Sequence, residues 1–200
     1  MTQQLVNSFD QKLAYEIDPQ LTPLLLQELI KQVKENPNTP FTDSRMSDDS
    51  IHTDIRKSKQ SWFYTDHWIG GVIYNLFVNA NESFFHYDLN YFGDGIQVTI
   101  YKEGDFFDWH TDGFPRYAND ERKLSISLLL TDDYEGGELE FDFKRSSLQK
   151  NGQKNPSRFS FKPKAGTAII FPAWLPHRVK PVTSGERICL VAWQYGPVFK

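Results

Sequence analysis

From about residue 84 onward the apolar residues recur at every second position, a period that commits most of the chain to extended strands, whose alternate side chains point to opposite faces. Segments near 96–102, 124–131, 137–143, 158–162, 167–171, 176–182 and 187–195 carry this pattern. Seven or eight strands after a helical first third predict a mainly β fold with flanking α-helices: a double-stranded β-helix, or jelly roll, with N-terminal helices packed outside. An aromatic content of 15%, with 16 Phe, 9 Tyr and 5 Trp, favours that class over a helical bundle. A length of 200 residues suits a single domain with a sizeable core. Within it we expect a helical and flap part over about 1–83 and a jelly-roll core over about 84–197.

The first helix is expected to open at Asp18-Pro19, with Asp18 as N-cap and Pro19 in the first turn. Leu21, Leu25, Leu29, Ile30 and Val33 then recur at helical spacing until Asn36-Pro37. Residues 37–61 are polar and broken by Pro, Asp and Ser, and read as a loop or mobile flap. A second helix follows, capped by Asp66 and apolar at Ile69, Val72, Ile73, Leu76, Phe77 and Ala80, although Gly70-Gly71 weakens it. The Lys- and Ser-rich stretch 144–158 reads as a long solvated hairpin loop, and Gly136-Gly137 as a turn that requires positive φ.

A net charge of -4 and a pI near 5.7 argue against nucleic acid or an anionic membrane as partner. The opening MTQQLVNSFDQKLAYEIDP has no stretch apolar enough for a signal peptide, and nothing later approaches a membrane span. A cytoplasmic monomer or homodimer is the expectation. The single cysteine, Cys189, excludes a disulfide framework and a Cys-based zinc cluster, so a metal would have to use His and carboxylates.

Three His-x-Asp tripeptides offer such ligands, at 52–54, 86–88 and 110–112, and the tripeptide alone is a weak signal. Context separates them. The strand IQVTIY before His110 alternates Ile96, Val98 and Ile100 with the polar set Gln97, Thr99 and Tyr101, which would line a ligand pocket if the roll encloses one. Further on, His177 starts a strand and Arg187 follows ten residues later, in what we expect to be the adjacent antiparallel strand. Arg187 alternates with Cys189, Val191 and Trp193, and no Asp or Glu occurs after it, so its anionic partner could be a ligand carboxylate. Tyr101, His110, Asp112, His177 and Arg187 together supply a phenol, three ligands and a cation in strand order. His52, in a charged loop, His67, near a helix start, and His86, beside Phe84 and Phe85, are better read as solvated or packed, although the flap could bring His52 to a substrate.

The stretches IQVTIYKEGDFFDWHTDG, RKLSISLLLTDDYEGGELEF, GTAIIFPAWLPHRVKPVTSGER and LVAWQYGP resemble the Fe(II)- and 2-oxoglutarate-dependent oxygenases, in particular the prolyl 4-hydroxylase-like branch of bacteria and phages. The likeness runs from about Arg56 to Pro197. It implies that His110, Asp112 and His177 match the iron ligands and that Arg187 matches the cation for the far carboxylate of 2-oxoglutarate, these four forming the catalytic set. Tyr101 matches a pocket tyrosine and Trp193 a ring beside the cosubstrate. Where some eukaryotic prolyl hydroxylases have a further tyrosine, this chain has Leu128, Leu129 and Leu130, so Ser127 or Thr99 becomes the candidate for the second carboxylate contact. The implied cofactor is Fe(II), the cosubstrates are 2-oxoglutarate and O2, and ascorbate is a candidate auxiliary. The implied reaction is hydroxylation of a peptidyl residue, foremost proline, in a peptide or protein substrate, with release of succinate and CO2. Two alternatives stand beside it: hydroxylation of a free amino acid or other small molecule, and a metal-holding jelly-roll module without turnover.

Overall fold

The computed structural model describes residues 3–4, 7–8, 11–12, 14–17, 21–35, 37–45, 50–113, 115–117, 120–142 and 158–198. In chain order, the strands of its two facing sheets are β1 (Tyr15–Ile17), β2 (Arg56–Lys57), β3 (Lys59–Phe63), β4 (Tyr91–Tyr101), β5 (Phe106–His110), β6 (Asp120–Leu129), β7 (Leu139–Asp142), β8 (Arg158–Phe161), β9 (Ala168–Pro172), β10 (His177–Val179) and β11 (Arg187–Pro197). The larger sheet runs β1-β9-β6-β11-β4-β3, extended by the short strands Gln3–Gln4 beside β1, Thr42–Asp43 beside β3 and Pro115–Tyr117 beside β6, and the smaller runs β8-β7-β10-β5-β2. All these pairings are antiparallel. The expected mainly β, jelly-roll architecture with two helices outside is what the chain adopts.

Strand alternation divides the larger sheet between two cores. Ile96 and Val98 of β4, Leu124, Ile126 and Leu128 of β6, and Ile188 and Leu190 of β11 face the helices and bury against Leu29, Val33, Ile73 and Phe77. The residues between them, Tyr101, Leu129 and Cys189, face the smaller sheet and pack with Leu139, Phe141 and Val179. A one-residue slip would exchange these sets and put Gln97 and Thr99 against the helices, so burial on both sides pins the register.

The helices depart from expectation at their starts. Asp18 and Pro19 lie outside the described residues, and the first helix, α1, spans Pro23–Glu35. Thr22 stands before it and its hydroxyl accepts from the Leu25 N–H at 3.2 Å, so the capping residue and the first-turn proline come one turn later than predicted. The second helix, α2, spans Trp68–Ala80, and its cap is His67, not Asp66: the imidazole Nδ1 accepts from the Ile69 N–H at 3.4 Å. Gly70, which weakened this helix on propensity, is required by packing. A Cβ there would lie 2.3 Å from the Thr65 carbonyl oxygen. The helix then runs into a π turn at Asn81–Phe85, closed by His86 in the left-handed region with φ 57, so the strand period begins at Tyr91 and not near 84.

The stretch 37–61 is not simply a loop. Its latter part forms β2 and the start of β3, which join opposite sheets. Its strand character was hidden because Arg56, Ser58, Gln60 and Ser61 are buried polar residues, and the apolar alternation that reveals a strand is missing. β5 was missed too, although FFDWH has strand composition. The stretch 144–158 lies outside the described residues except for Arg158, which begins β8. Gly136 and Gly137 have φ of 70 and 64, as the turn reading required.

Phe77 is fully buried between α2 and the larger sheet, with its ring 6.2 Å from that of Phe92. Phe77→Ala is expected to lower unfolding free energy by about 3–5 kcal/mol in a denaturant titration. A loss below about 1 kcal/mol would mean that α2 is not part of the cooperative core.

Candidate iron and cosubstrate site

The site begins with a cross-strand pair in the smaller sheet. His110, the last residue of β5, is directly opposite His177, the first of β10. The chain then turns at Thr111–Gly113, where the N–H groups of Asp112 and Gly113 both donate to the Ala173 carbonyl at 2.8 Å. A Cβ on Gly113 would lie only 3.2 Å from the Trp174 nitrogen, so a small residue suits this close approach. The result brings His110, Asp112 and His177 together, with ligand atoms all within 4.8 Å of one another.

Hydrogen bonds orient both imidazoles. His110 Nδ1 donates to the Asp108 carbonyl at 2.8 Å and His177 Nδ1 to the Leu175 carbonyl at 2.9 Å. A carbonyl can only accept, which puts a proton on Nδ1 and turns each Nε2 toward Asp112, at 3.8 Å from Oδ1 and 3.6 Å from Oδ2 respectively. Ser125 donates to Asp112 Oδ2 at 2.8 Å, and Phe107 stacks on the His110 ring at 3.5 Å between centroids. Burial, reinforced by His177, lowers the His110 pKa to about 3, so the ring is neutral at neutral pH. Burial raises that of Asp112, but His177, His110 and Arg122 outweigh it and hold the carboxyl at about 2. Two imidazoles and a carboxylate, with no thiolate, suit Fe(II) in a facial triad.

The triad opens onto a cavity of about 760 Å³ whose opposite wall is the inner face of the larger sheet. Arg187 of β11 lies there, paired in register with Tyr101 and 3% exposed. Its Nη1 donates to Cys189 Sγ at 3.0 Å, its carbon Cζ is 5.4 Å from the Tyr101 ring centre, and its Nε is buried without a partner. Among the described residues no carboxylate pairs with it, so the cation and its orphaned donor fit a ligand acid. Burial pushes the Tyr101 phenol up to about 12, which keeps it neutral and able to donate. Thr99 and Ser127 border the same cavity, and Thr99 accepts from Gln97 Nε2 at 2.7 Å. The indole N–H of Trp193 lowers the Asp112 pKa slightly further, yet it lies outside hydrogen-bond geometry and remains a buried donor without a partner.

One geometric expectation fails. The strands of His177 and Arg187 are not neighbours: β10 pairs with β7 and β5, whereas β11 pairs with β6 and β4. Between them Val182–Ser184 pairs with Glu135–Gly136, so the chain crosses from one sheet to the other instead of closing a hairpin. The ligand and the cation therefore face each other across the cavity.

A family model described as the 2OG-Fe(II) oxygenase superfamily matches residues 96–195. The chain belongs to the 2OG-Fe(II) oxygenase superfamily. Members use Fe(II), 2-oxoglutarate and O2, and His110, Asp112 and His177 form the candidate iron site of this oxygenase. It is 36% identical over 100 residues to a PKHD-type hydroxylase of Synechococcus sp. (strain CC9902), an alignment covering 49% of this chain and 40% of the relative. It is 39% identical over 98 residues to another PKHD-type hydroxylase, of Hyphomonas neptunium, covering 46% and 38%. The chain thus spans about 40% of the length of these curated relatives. Among solved structures, a Pseudomonas putida prolyl-4-hydroxylase aligns at TM-score 0.64 and 20% identity, covering 90% of this oxygenase and 91% of that chain. A Trichoplax adhaerens prolyl hydroxylase, solved with a hypoxia inducible factor peptide fragment, aligns at TM-score 0.72 and 17% identity over 92% and 83%. At these identities the structures establish a shared fold.

The other histidines stay apart. His52 and His86 are exposed, and His67 caps α2 with its ring 4.7 Å from that of Phe63. Sequence reasoning missed Ser125, Phe107, Arg122 and Arg56. Phe107 and Arg56 were legible only once β5 and β2 were recognised. Ser125 and Ser127 share the inner face of β6, an alternation visible in LSISL.

Two outcomes are expected. His110→Ala, Asp112→Ala or His177→Ala should each remove most Fe(II) affinity in a metal titration, whereas His52→Ala and His86→Ala should bind one equivalent. Loss of metal from the latter pair with retention in His110→Ala would overturn the site. The metal-free protein should also lose stability as pH falls below about 6.5. Over the window from there to about 3 the His110 imidazole takes up a proton in the unfolded chain but not in the folded one. Denaturant unfolding at pH 7 and pH 5 should differ by on the order of 1–2 kcal/mol from this group, and His110→Gln should flatten the dependence.

Proposed function

We propose that this chain is an Fe(II)- and 2-oxoglutarate-dependent dioxygenase, acting as one catalytic domain, that hydroxylates a peptidyl residue, proline, with release of succinate and CO2. The observation that carries the reading is the His-Asp-His triad facing, across one cavity, a buried arginine that no described carboxylate neutralises. The choice of a peptidyl proline rests on likeness: the PKHD-type hydroxylase relatives and the prolyl hydroxylase neighbours, one of them solved with a peptide.

Bound iron, with 2-oxoglutarate and O2, supplies the oxidising chemistry, in which one oxygen atom ends in succinate and the other in the hydroxylated product. The chain's own residues supply position. Nε2 of His110 and of His177 and the carboxylate of Asp112 hold the metal on one side and leave its other side to ligands. The Asp108 and Leu175 carbonyls and Ser125 fix those three side chains in orientation. Arg187 receives the far carboxylate of 2-oxoglutarate with its orphaned Nε and a terminal nitrogen, the planar fork matching both oxygens. The neutral Tyr101 phenol and the hydroxyl of Thr99 or Ser127 donate to the same carboxylate, and Trp193 borders the cosubstrate.

Arg187→Ala should weaken 2-oxoglutarate binding by about one to two orders of magnitude in anaerobic calorimetry, and Arg187→Lys by less, because a bidentate charged contact is worth roughly 1.5–3 kcal/mol. Unchanged affinity in both would remove the cation from this role. The reading as a whole is tested by incubating iron-loaded protein with 2-oxoglutarate, O2 and a panel of proline peptides beside free amino acids. A peptide gaining one oxygen atom by mass spectrometry, with matching succinate, is the expected result. Turnover of free amino acids alone would shift the substrate class, and metal binding without oxygen-dependent succinate would leave only a binding module.

A further inference from the structure

The cavity wall carries a second buried guanidinium that neither the triad nor Arg187 employs. Arg56 of β2 is 7% exposed and borders the cavity. Its Cζ lies 4.6 Å from the centre of the Phe107 ring, the same ring that stacks on His110. It is therefore one ring removed from an iron ligand, and its charge is felt at both Tyr101 and His110. Its hydrogen bonds go to neutral acceptors: Nη1 to the Arg45 carbonyl at 3.2 Å and Nε to the Ser58 hydroxyl at 3.4 Å. Among the described residues no Asp or Glu pairs with it.

Both carboxylates that line the cavity are already engaged. Asp94 binds Arg122 through Oδ2 at 2.8 and 3.1 Å, and Asp112 belongs to the triad. On the dioxygenase reading, on which this inference rests, the two carboxylates of 2-oxoglutarate serve the metal and Arg187. A guanidinium taken out of water and left without a counter-ion is unfavourable, and a ligand anion relieves it. Gln60, on the same cavity, adds a buried Oε1 without a hydrogen-bond partner, an acceptor suited to an amide or amine N–H.

We propose that Arg56 is a specificity-determining residue that binds a carboxylate carried by the substrate beside the C–H bond to be hydroxylated, with Gln60 accepting from a neighbouring N–H. The substrate is then acidic near its reacting carbon. The carboxylate has two sources, an Asp or Glu side chain flanking the target residue, or the C-terminal or free α-carboxylate of the target residue itself.

The test uses the full chain loaded anaerobically with Fe(II) and 2-oxoglutarate, and calorimetry of matched probes: amidated proline peptides with Glu or with Gln beside the proline, a peptide ending in a proline free acid or its amide, and L-proline or prolinamide. At least one carboxylate probe should bind about ten- to a hundred-fold more tightly than its uncharged partner, and the preferred pair names the source. Arg56→Gln should erase that preference while the uncharged probe and 2-oxoglutarate bind as before, and Arg56→Lys should keep part of it. The wild-type preference is read without any variant, so a misfolded substitution does not spare the proposal. Equal binding within every pair, no binding of any carboxylate probe, an equal loss for both members of a pair in Arg56→Gln, or weakened 2-oxoglutarate binding in that variant would each overturn it. Failure of iron-dependent 2-oxoglutarate binding, measured before any probe is added, would instead overturn the dioxygenase reading and this inference with it.

Discussion

Each long strand of the larger sheet separates two unlike environments, and the strand pleat must sort its side chains between them. Ile96, Val98, Ile188 and Leu190 go to the helices, while Thr99, Tyr101, Arg187 and Cys189 go to the space between the sheets. The sorting is enforced from one side. Burying the aliphatic set against α1 and α2 is favourable at roughly 25 cal/mol per Å² of apolar surface, and placing Arg187 there instead would strand a charge in hydrocarbon. The apolar core thus aims the polar site, and Ile126 belongs to that core while also lining the cavity.

The smaller sheet does the complementary work with backbone hydrogen bonds. Pairing β5 with β10 sets two histidines opposite each other, and carbonyls of the same two segments hold the rings with Nε2 facing inward. Burial, which keeps His110 neutral, also keeps the Tyr101 phenol protonated. One low-dielectric cavity therefore prepares a metal ligand and a hydrogen-bond donor by the same means.

What could be read from the sequence follows where contrast between faces survives. The alternation of IQVTIY and of the strand after Arg187 is plain because one face is aliphatic and the other polar. KQSWF offers much less contrast, since Gln60 and Ser61 are both buried, and Arg56 vanished into what looked like a loop. His110, Asp112 and His177 were legible as types in order, but their convergence depends on cross-strand pairing that no local pattern reveals. The expectation that His177 and Arg187 share a hairpin failed because short spacing cannot tell a turn within one sheet from a crossing between two. Helix starts were misplaced because Thr22 and His67 accept the first-turn N–H bonds, and residue type alone does not rank them against Asp18 and Asp66 as caps.

The crossing between His177 and Arg187 means that the two halves of the site are not joined by a shared strand pairing. What spaces them is the filling between the sheets, where Phe141 meets Phe171 and Phe161, and Leu139 and Val179 pack beside Cys189. The molecule works here as a caliper whose jaws are two sheets and whose setting is a layer of rings. Because such interiors are close-packed, the loss or gain of one methylene in that layer alters the opening of the jaws. The distance between the triad and Arg187, and with it the length of diacid that the proposed site would accept, is thus set by side chains of which Leu139, Phe171, Val179 and Cys189 also line the cavity.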